Sequence, residues 1–212
     1  NDVCSLRPNE DRFTFSAVFE LDRDAKIHKQ WFGRTVIHSD RRFSYEEAQE
    51  RIETQQGDLS TEILQLDKLA NILRAERIRN GAITFDRSEV RFNLDENSKP
   101  IGVYFKVSKD SNHLIEEFML LANKKVSEFI SLNKRNEPTG NTFIYRIHDD
   151  PDPAKLTALR DFVGTFGYKM DLANTQTVAQ SLNRLLSDVK GKGEENMIET
   201  LAMRSMSKAV YS

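Results

Sequence analysis

Several features that identify common protein classes are missing from this sequence of 212 residues. A single cysteine, Cys4, excludes an intramolecular disulfide and fits a reducing compartment, so we expect a small core residue there and a cytoplasmic protein. No apolar run reaches the roughly 18 residues that a membrane span requires. The chain opens with no signal-peptide pattern. The sequence therefore predicts no membrane partner.

The sequence also lacks an excess of charge of either sign. Acidic residues number 33 and basic residues 31, which argues against a general polyanion-binding protein, because such proteins carry a marked basic excess. A local basic channel stays possible, since net charge does not describe how charges are distributed. With 38% hydrophobic and 30% charged residues, the composition is typical of a globular domain with its own core.

Motifs for nucleotide and metal chemistry are absent as well. There is no P-loop, no G-x-G-x-x-G and no G-x-S-x-G. No zinc-ligand spacing joins Cys4 to the histidines, which are His28, His38, His113 and His148. We predict no metal site in this chain.

The densest acidic stretch is "HDDPDP" at 148–153. Magnesium sites favour carboxylates, so a site formed by Asp149, Asp150 and Asp152 is one interpretation. The favoured one is helix capping, because Pro151 and Pro153 bracket a helix start, where aspartate is expected.

Hydrophobic periodicity predicts an α+β fold in which antiparallel strands and hairpins accompany several packed α-helices. Residues 13–22 alternate with Phe13, Phe15, Ala17 and Phe19 on one face, and a turn at 23–24 leads to a longer strand over 26–39. Residues 82–95 read as a tight hairpin, and further strands are predicted around 102–107 and 142–148. No repeat or linker is present, so we expect one unit over 1–212.

Helices are predicted from spacing and capping residues. Ser44 and Glu47 fit a capping box, which places Tyr45 in the first turn of a helix. Residues 60–81 form the cleanest amphipathic pattern, with Ile63, Leu66, Ala70 and Leu73 at helical spacing. Further helices are expected at 114–131, from Pro153 to about Gly167, at 182–189 and at 195–209.

Two adjacent glutamates, Glu116 and Glu117, lie in one of the most apolar runs of the chain. Neighbouring helical residues point about 100° apart, so the two cannot line one site. If Leu114 and Phe118 face the core, one glutamate borders it and the other points to water. The residues alone favour two solvated first-turn acids that suit the helix dipole.

Basic residues recur beside aromatic ones. The basic groups are Arg41-Arg42, Arg74, Arg77 and Arg79 on one helix, and Lys124-Lys125. Each is favoured as a solvated face. The aromatics near them are Phe43, Tyr45, Phe85 and Tyr104. Proteins that bind single-stranded nucleic acid combine such groups, because bases stack on rings while cations track phosphates.

Four segments in order, "NDVCSLRPNEDRFTFSAVFELD", "RNGAITFD", "HLIEEFMLLAN" and "ETLAMRSMSKAVYS", closely resemble the catalytic domain of the ribonuclease II/ribonuclease R family. The pieces "SYEEAQ" and "RIHDDPDPAKLTALRDF" match its pattern too, so the resemblance covers essentially the whole chain. It implies a magnesium-dependent, processive 3′→5′ exoribonuclease that threads single-stranded RNA to a buried site and releases nucleoside monophosphates. RNA, and not DNA, is the implied partner.

The resemblance implies roles for three residues. Tyr45 matches a tyrosine near the scissile end of the RNA, and Phe85 matches an aromatic that stacks on the last bases. Glu116 matches a glutamate beside the terminal nucleotide that, with the tyrosine, is associated with a preference for ribose. Glu117 is then the acid that turns away.

Parts of the family pattern are missing. The magnesium-binding aspartate cluster and a second clamp aromatic belong upstream, and a catalytic arginine in Ser-Pro-Ile-Arg belongs downstream. The cold-shock and C-terminal RNA-binding modules are absent too. We therefore expect that this chain is an internal fragment of the catalytic domain and is inactive alone. We expect no magnesium in the fragment, whereas the intact parent would bind magnesium. The alternative is a non-catalytic RNA-binding or interaction module of the same fold.

Overall fold

The computed structural model describes residues 4–85, 89–133 and 135–212. Within these ranges it contains six α-helices and six strands, the strands arranged as three two-stranded antiparallel sheets. The predicted α+β fold class is confirmed. The chain divides into two compact units, Asn1–Arg74 with Ser88–Asn141 and Ala75–Arg87 with Thr142–Ser212. A single domain over the whole chain stays a prediction.

The first sheet pairs β1 (Asp11–Leu21) with β2 (Ile27–His38), as the alternation predicts. One end of its aromatic face is covered: the Phe32 ring lies 6.0 Å from Phe19 and 4.9 Å from Phe129 of a later helix. At the other end of that face, Phe13 is 92% exposed and Phe15 is 79% exposed. Only half of the alternating face therefore belongs to a core.

The second sheet corrects a prediction. The hairpin joins β3 (Glu89–Leu94) to β4 (Pro100–Lys106), and residues 82–85 are not a strand. The turn that the sequence suggested, around 86–88, lies outside the described residues. The observed turn is stabilised by Asp95, whose side chain accepts hydrogen bonds from the backbone N–H groups of Asn97 and Lys99, each at 2.9 Å. Aspartate stabilises turns in this way.

Three helices complete the first unit: α1 (Tyr45–Thr54), most of α2 (Ser60–Arg79) and α3 (Asp110–Ser131). The predicted capping box is confirmed, since the Glu47 N–H donates to Ser44 Oγ at 3.1 Å and the Ser44 N–H donates to Glu47 Oε2 at 2.8 Å. Helix α2 buries Ile63 and Ala70 as predicted, but Leu66 is exposed.

The second unit packs α4 (Pro153–Gly164), α5 (Thr175–Val189) and α6 (Glu195–Ser205) around one core. Its fully buried members come from all three helices: Val163, Leu182, Val189, Ile198 and Ala202. Strand β5 (Arg146–His148) pairs with β6 (Ala209–Tyr211). The predictions misplaced three helix boundaries here, because α4 ends before Gly167, α5 begins earlier and α6 ends before β6.

Two expectations from composition have different outcomes. Among the described residues, no helix is long and apolar enough to cross a membrane. Cys4 is exposed, so the prediction of a core cysteine is wrong. Leu6, an apolar residue close to it in the sequence, is exposed as well.

Candidate nucleic-acid site

The three residues singled out from the sequence lie in different units. Tyr45 and Glu116 belong to the first unit and Phe85 to the second. Their predicted roles stay predictions, and the surroundings of each residue are described within its own unit.

Helices α1 and α3 are joined by one buried side chain, Gln49. Its Oε1 accepts a hydrogen bond from the backbone N–H of Ser111 at 2.9 Å, and its Nε2 lies 3.3 Å from Asp110 Oδ2. Tyr45 precedes Gln49 by one helical turn, so the two share a face of α1. Gln49 therefore fixes the start of α1, which carries Tyr45, against the first turn of α3, which leads to Glu116.

The paired glutamates of α3 have different environments. Glu116 is about half exposed, with 47% of its side chain accessible, whereas only 2% of the Glu117 side chain is accessible. The interpretation of two solvated acids is therefore wrong for Glu117. Glu117 faces the protein, and Glu116 is the one that can meet a ligand.

Arg74 of α2 lies between the two carboxylates. Its Nη1 atom is 3.8 Å from Glu117 Oε1 and 3.8 Å from Glu116 Oε2, and only 16% of the side chain is accessible. A buried carboxylate needs a partner of opposite charge, because transferring a charged group out of water costs on the order of several kcal/mol. Arg74 is thus part of an internal charge cluster, which corrects its interpretation as a solvated face.

His113 also belongs to this cluster and lies beside both Arg74 and Glu116. Its Nδ1 atom is 3.1 Å from Arg74 Nη1 and 3.4 Å from Glu116 Oε2. One ring nitrogen accepts from Arg74 only without a proton, and donates to Glu116 only with one. The ring therefore bonds to the cation or to the exposed carboxylate, but not to both through this atom.

Tyr45 stands at the first position of α1 and is 43% exposed. The Nζ atom of Lys106, from the end of β4, lies 5.6 Å from the centre of its ring. That distance is within the range of a cation–π interaction. An accessible ring beside an ammonium group is the pairing that single-strand binding uses.

Phe85 lies against the core of the second unit and is partly buried. The segment before it is held by Asn183 of α5: the Thr84 N–H donates to Asn183 Oδ1 at 3.1 Å, and Asn183 Nδ2 donates to the Ala82 carbonyl at 2.8 Å. These two bonds replace the strand pairing that the sequence suggested. They fix the backbone that carries the Phe85 ring.

The described residues do not fit a magnesium site. Asp152 caps α4 instead, since its Oδ1 accepts from the Ala154 and Lys155 N–H groups at 3.0 and 3.3 Å. The Lys155 N–H, the larger cause, and the Ala154 N–H lower the pKa of this carboxyl. Across the described residues, no group of three or more histidine, cysteine, aspartate or glutamate side chains is placed to hold a metal ion.

Sequence reasoning missed Gln49 and Asn183 and misread Arg74. Gln49 and Asn183 lack a sequence signal, because a polar residue in a helix reads as solvent-exposed until its distant partner is known. The partner of Gln49 lies 62 residues away and that of Asn183 lies 99 residues away.

The fold matches that of a known ribonuclease. The Mycoplasma genitalium RNase R structure, in complex with ribose-methylated single-stranded RNA, has the same fold: the TM-score is 0.82 over 100% of this chain and 33% of that one, at 24% identity. The fold is thus that of part of an RNase R. The RNB domain family matches residues 1–212, and the chain belongs to that family of exoribonucleases. The resemblance drawn from the sequence is confirmed.

Two curated relatives show the range within the family. Ribonuclease R of Thermotoga maritima is 32% identical over 100% of this chain and 30% of its own length. A protein of Arabidopsis thaliana named inactive exonuclease DIS3L2 is 30% identical over 99% of this chain and 21% of its own length. The chain therefore spans less than a third of either relative.

Proposed function

We propose that this chain is an internal part of the catalytic domain of a magnesium-dependent, processive 3′→5′ exoribonuclease that releases nucleoside 5′-monophosphates from single-stranded RNA. The observation that carries the proposal is the RNB domain match over every residue of the chain. The longer protein would act in the cytoplasm. The chain alone would be inactive, because its described residues include no group placed to hold the metal.

Two residues of the first unit would handle the 3′ end of the RNA. Glu116 presents an accessible carboxylate, which can accept a hydrogen bond from a 2′-hydroxyl, the group that distinguishes RNA from DNA. Arg74 and the buried Glu117 hold that region of α3 in place. Tyr45 offers its ring and hydroxyl from the start of α1.

Phe85 would supply stacking from the second unit. One part of its ring contacts the core, and the rest is accessible to a base. Stacking on an aromatic ring contributes roughly 1–3 kcal/mol per base and is indifferent to sequence. That suits an enzyme that must release every nucleotide in turn.

Aspartates outside this chain would bind the magnesium ion. Metal hydrolysis depends on carboxylates that clamp the attacking and leaving oxygens. Since no such cluster is found in the described residues, no step through a metal is assigned to this chain. The same observation favours the second candidate, a non-catalytic RNA-binding module of this fold.

A gel assay separates the candidates. RNA labelled at its 5′ end would be incubated with magnesium and either this chain or the longer protein that contains it. We expect processive shortening by the longer protein and intact RNA with the chain. Intact RNA with both would support the non-catalytic module. Shortening by the chain alone, with contaminating nuclease excluded by a Glu116→Gln control, would contradict the assignment of the metal ligands.

A further inference from the structure

The β3–β4 hairpin has two chemically different faces. Side chains alternate along a strand, and residues directly opposite each other in an antiparallel pair share a face. One face carries Val90, Phe92, Val103 and Phe105. The other, here called the hairpin face, carries Arg91, Asn93, Tyr104 and Lys106, with Arg91 directly opposite Tyr104 and Glu89 as the register partner of Lys106.

Lys106 shows where the hairpin face points. Its Nζ atom lies 5.6 Å from the centre of the Tyr45 ring, so this face continues the surface around Tyr45. Tyr104 precedes Lys106 by two residues, a spacing of about 7 Å along a strand. The surface therefore presents the Tyr45 ring, then Lys106, then the cross-strand pair of Tyr104 and Arg91.

The hairpin face is open enough to receive a ligand. Tyr104 is 46% exposed, and position 102, the next on this face, is a glycine. A Cβ atom at Gly102 would come within 3.3 Å of Asn93 Nδ2, so the glycine lets Asn93 lie across the strand pair. Arg91 is exposed as well, and Lys106 is partly exposed.

We propose that the hairpin face is a binding site for single-stranded RNA and guides the strand to Tyr45. The proposal rests on the proposed function. Tyr104 stacks on a base, Lys106 and Arg91 contact phosphates, and Asn93 donates to a base oxygen. None of these contacts reads a 2′-hydroxyl, so the site binds RNA and single-stranded DNA equally.

The test is binding of this chain to a fluorescent single-stranded RNA of about 12 nucleotides, a length typical of such sites, and to its DNA counterpart. Fluorescence anisotropy gives Kd over a series of salt concentrations. Tyr104→Leu removes the ring, and Tyr104→Phe keeps it. Lys106→Gln removes a cation from the hairpin face, and Lys99→Gln removes the same charge from the turn of the same hairpin.

Tyr104→Leu should raise Kd about 5- to 150-fold for both oligonucleotides, as expected for one stacked base, while Tyr104→Phe binds like the wild type. Lys106→Gln should lower the slope of log K against log salt by about 0.7, the value for one phosphate contact on a single strand. Lys99→Gln should leave that slope unchanged. Circular dichroism of each variant confirms that it is folded.

The outcomes also separate this proposal from the proposed function. Wild-type binding by the folded Tyr104→Leu and Lys106→Gln variants, together with weakened binding by Phe85→Leu, would overturn the hairpin site and leave the proposed function standing. Equal loss in Lys99→Gln and Lys106→Gln would overturn it as well, because general electrostatics would explain both. If the wild-type chain fails to bind the RNA at low salt, the hairpin site is wrong whatever the longer protein does in the gel assay.

Discussion

The Nη1 atom of Arg74 on α2 lies 3.8 Å from Oε1 of the buried Glu117 on α3. This contact joins two helices of the first unit through opposite charges. Because Glu117 is almost inaccessible while Glu116 is half exposed, one arginine contacts both a structural acid and an accessible one.

Glu117→Ala should destabilise the chain and Glu116→Ala should not. Glu117→Ala removes a buried carboxylate from the cluster around Arg74, which keeps Glu116 as a second counter-charge, so we expect a loss of about 2 kcal/mol in the free energy of unfolding. Glu116→Ala should stay within about 0.5 kcal/mol of the wild type, as exposed substitutions do. Urea denaturation measures both.

In the longer protein, catalytic turnover should fall more when Glu116 is changed than when Glu117 is changed. Conservative variants avoid unfolding, so Glu116→Gln and Glu117→Gln are compared on the same RNA. The Glu116 variant should lose most of its kcat and its preference for a ribose at the 3′ end. Equal losses in the two variants would contradict the assignment of Glu116 as the acid that meets the RNA.

Asn183→Ala should loosen the segment that carries Phe85. The substitution removes the acceptor of the Thr84 N–H and the donor to the Ala82 carbonyl. Hydrogen exchange of the Thr84 amide should accelerate by at least about tenfold, the effect of roughly 1.4 kcal/mol. Retention of short RNA ends by the longer protein should weaken too, as we also expect for Phe85→Ala. The amide of Val178, bonded to the Asn174 carbonyl, is the internal control. Unchanged Thr84 exchange would show that other contacts hold the segment.

Ser111→Ala should stabilise the chain or leave its stability unchanged. The Ser111 hydroxyl is buried and has no hydrogen-bond partner among the described residues, so its removal relieves a desolvation cost of about 1 kcal/mol. Ser205→Ala is the matched control, because that buried hydroxyl donates to the Ala202 carbonyl and its loss should destabilise by about 1 kcal/mol. Thermal unfolding should therefore show a lower Tm for Ser205→Ala and a higher or unchanged Tm for Ser111→Ala.

Asp152→Ala should lower Tm at pH 7 by about 2–4 °C, as expected for loss of a helix cap. The N–H groups that Asp152 caps lower its pKa in the folded state, so the cap stabilises above the unfolded pKa of 3.8. This stability is lost as the pH falls through the lower folded pKa. The Tm difference from the wild type should accordingly shrink below about pH 4. Asp161→Ala removes the same charge from α4 without removing a cap, and should show no comparable loss at pH 7.

The sequence predicted local features well because their causes are local. The capping box of Ser44 and Glu47 and the cap by Asp152 depend on residues within one turn, and both are confirmed. The prediction of a hairpin over 82–95 was wrong because Thr84 bonds to Asn183, almost 100 residues away, and not to a neighbouring strand. Periodicity likewise left open which acid of the Glu116–Glu117 pair is buried, since that depends on Arg74 of another helix.

Among the described residues each sheet has only two strands, so every strand has one edge with unpaired backbone groups. Phe13 and Phe15 are exposed on one such sheet, and Phe92 and Phe105 are exposed on the apolar face of another. Water is a poor solvent for surfaces of this kind. Attraction between copies of the purified chain should therefore exceed repulsion. Its light scattering per molecule should then rise with concentration. Solubility, rather than fold stability, should limit experiments on the chain.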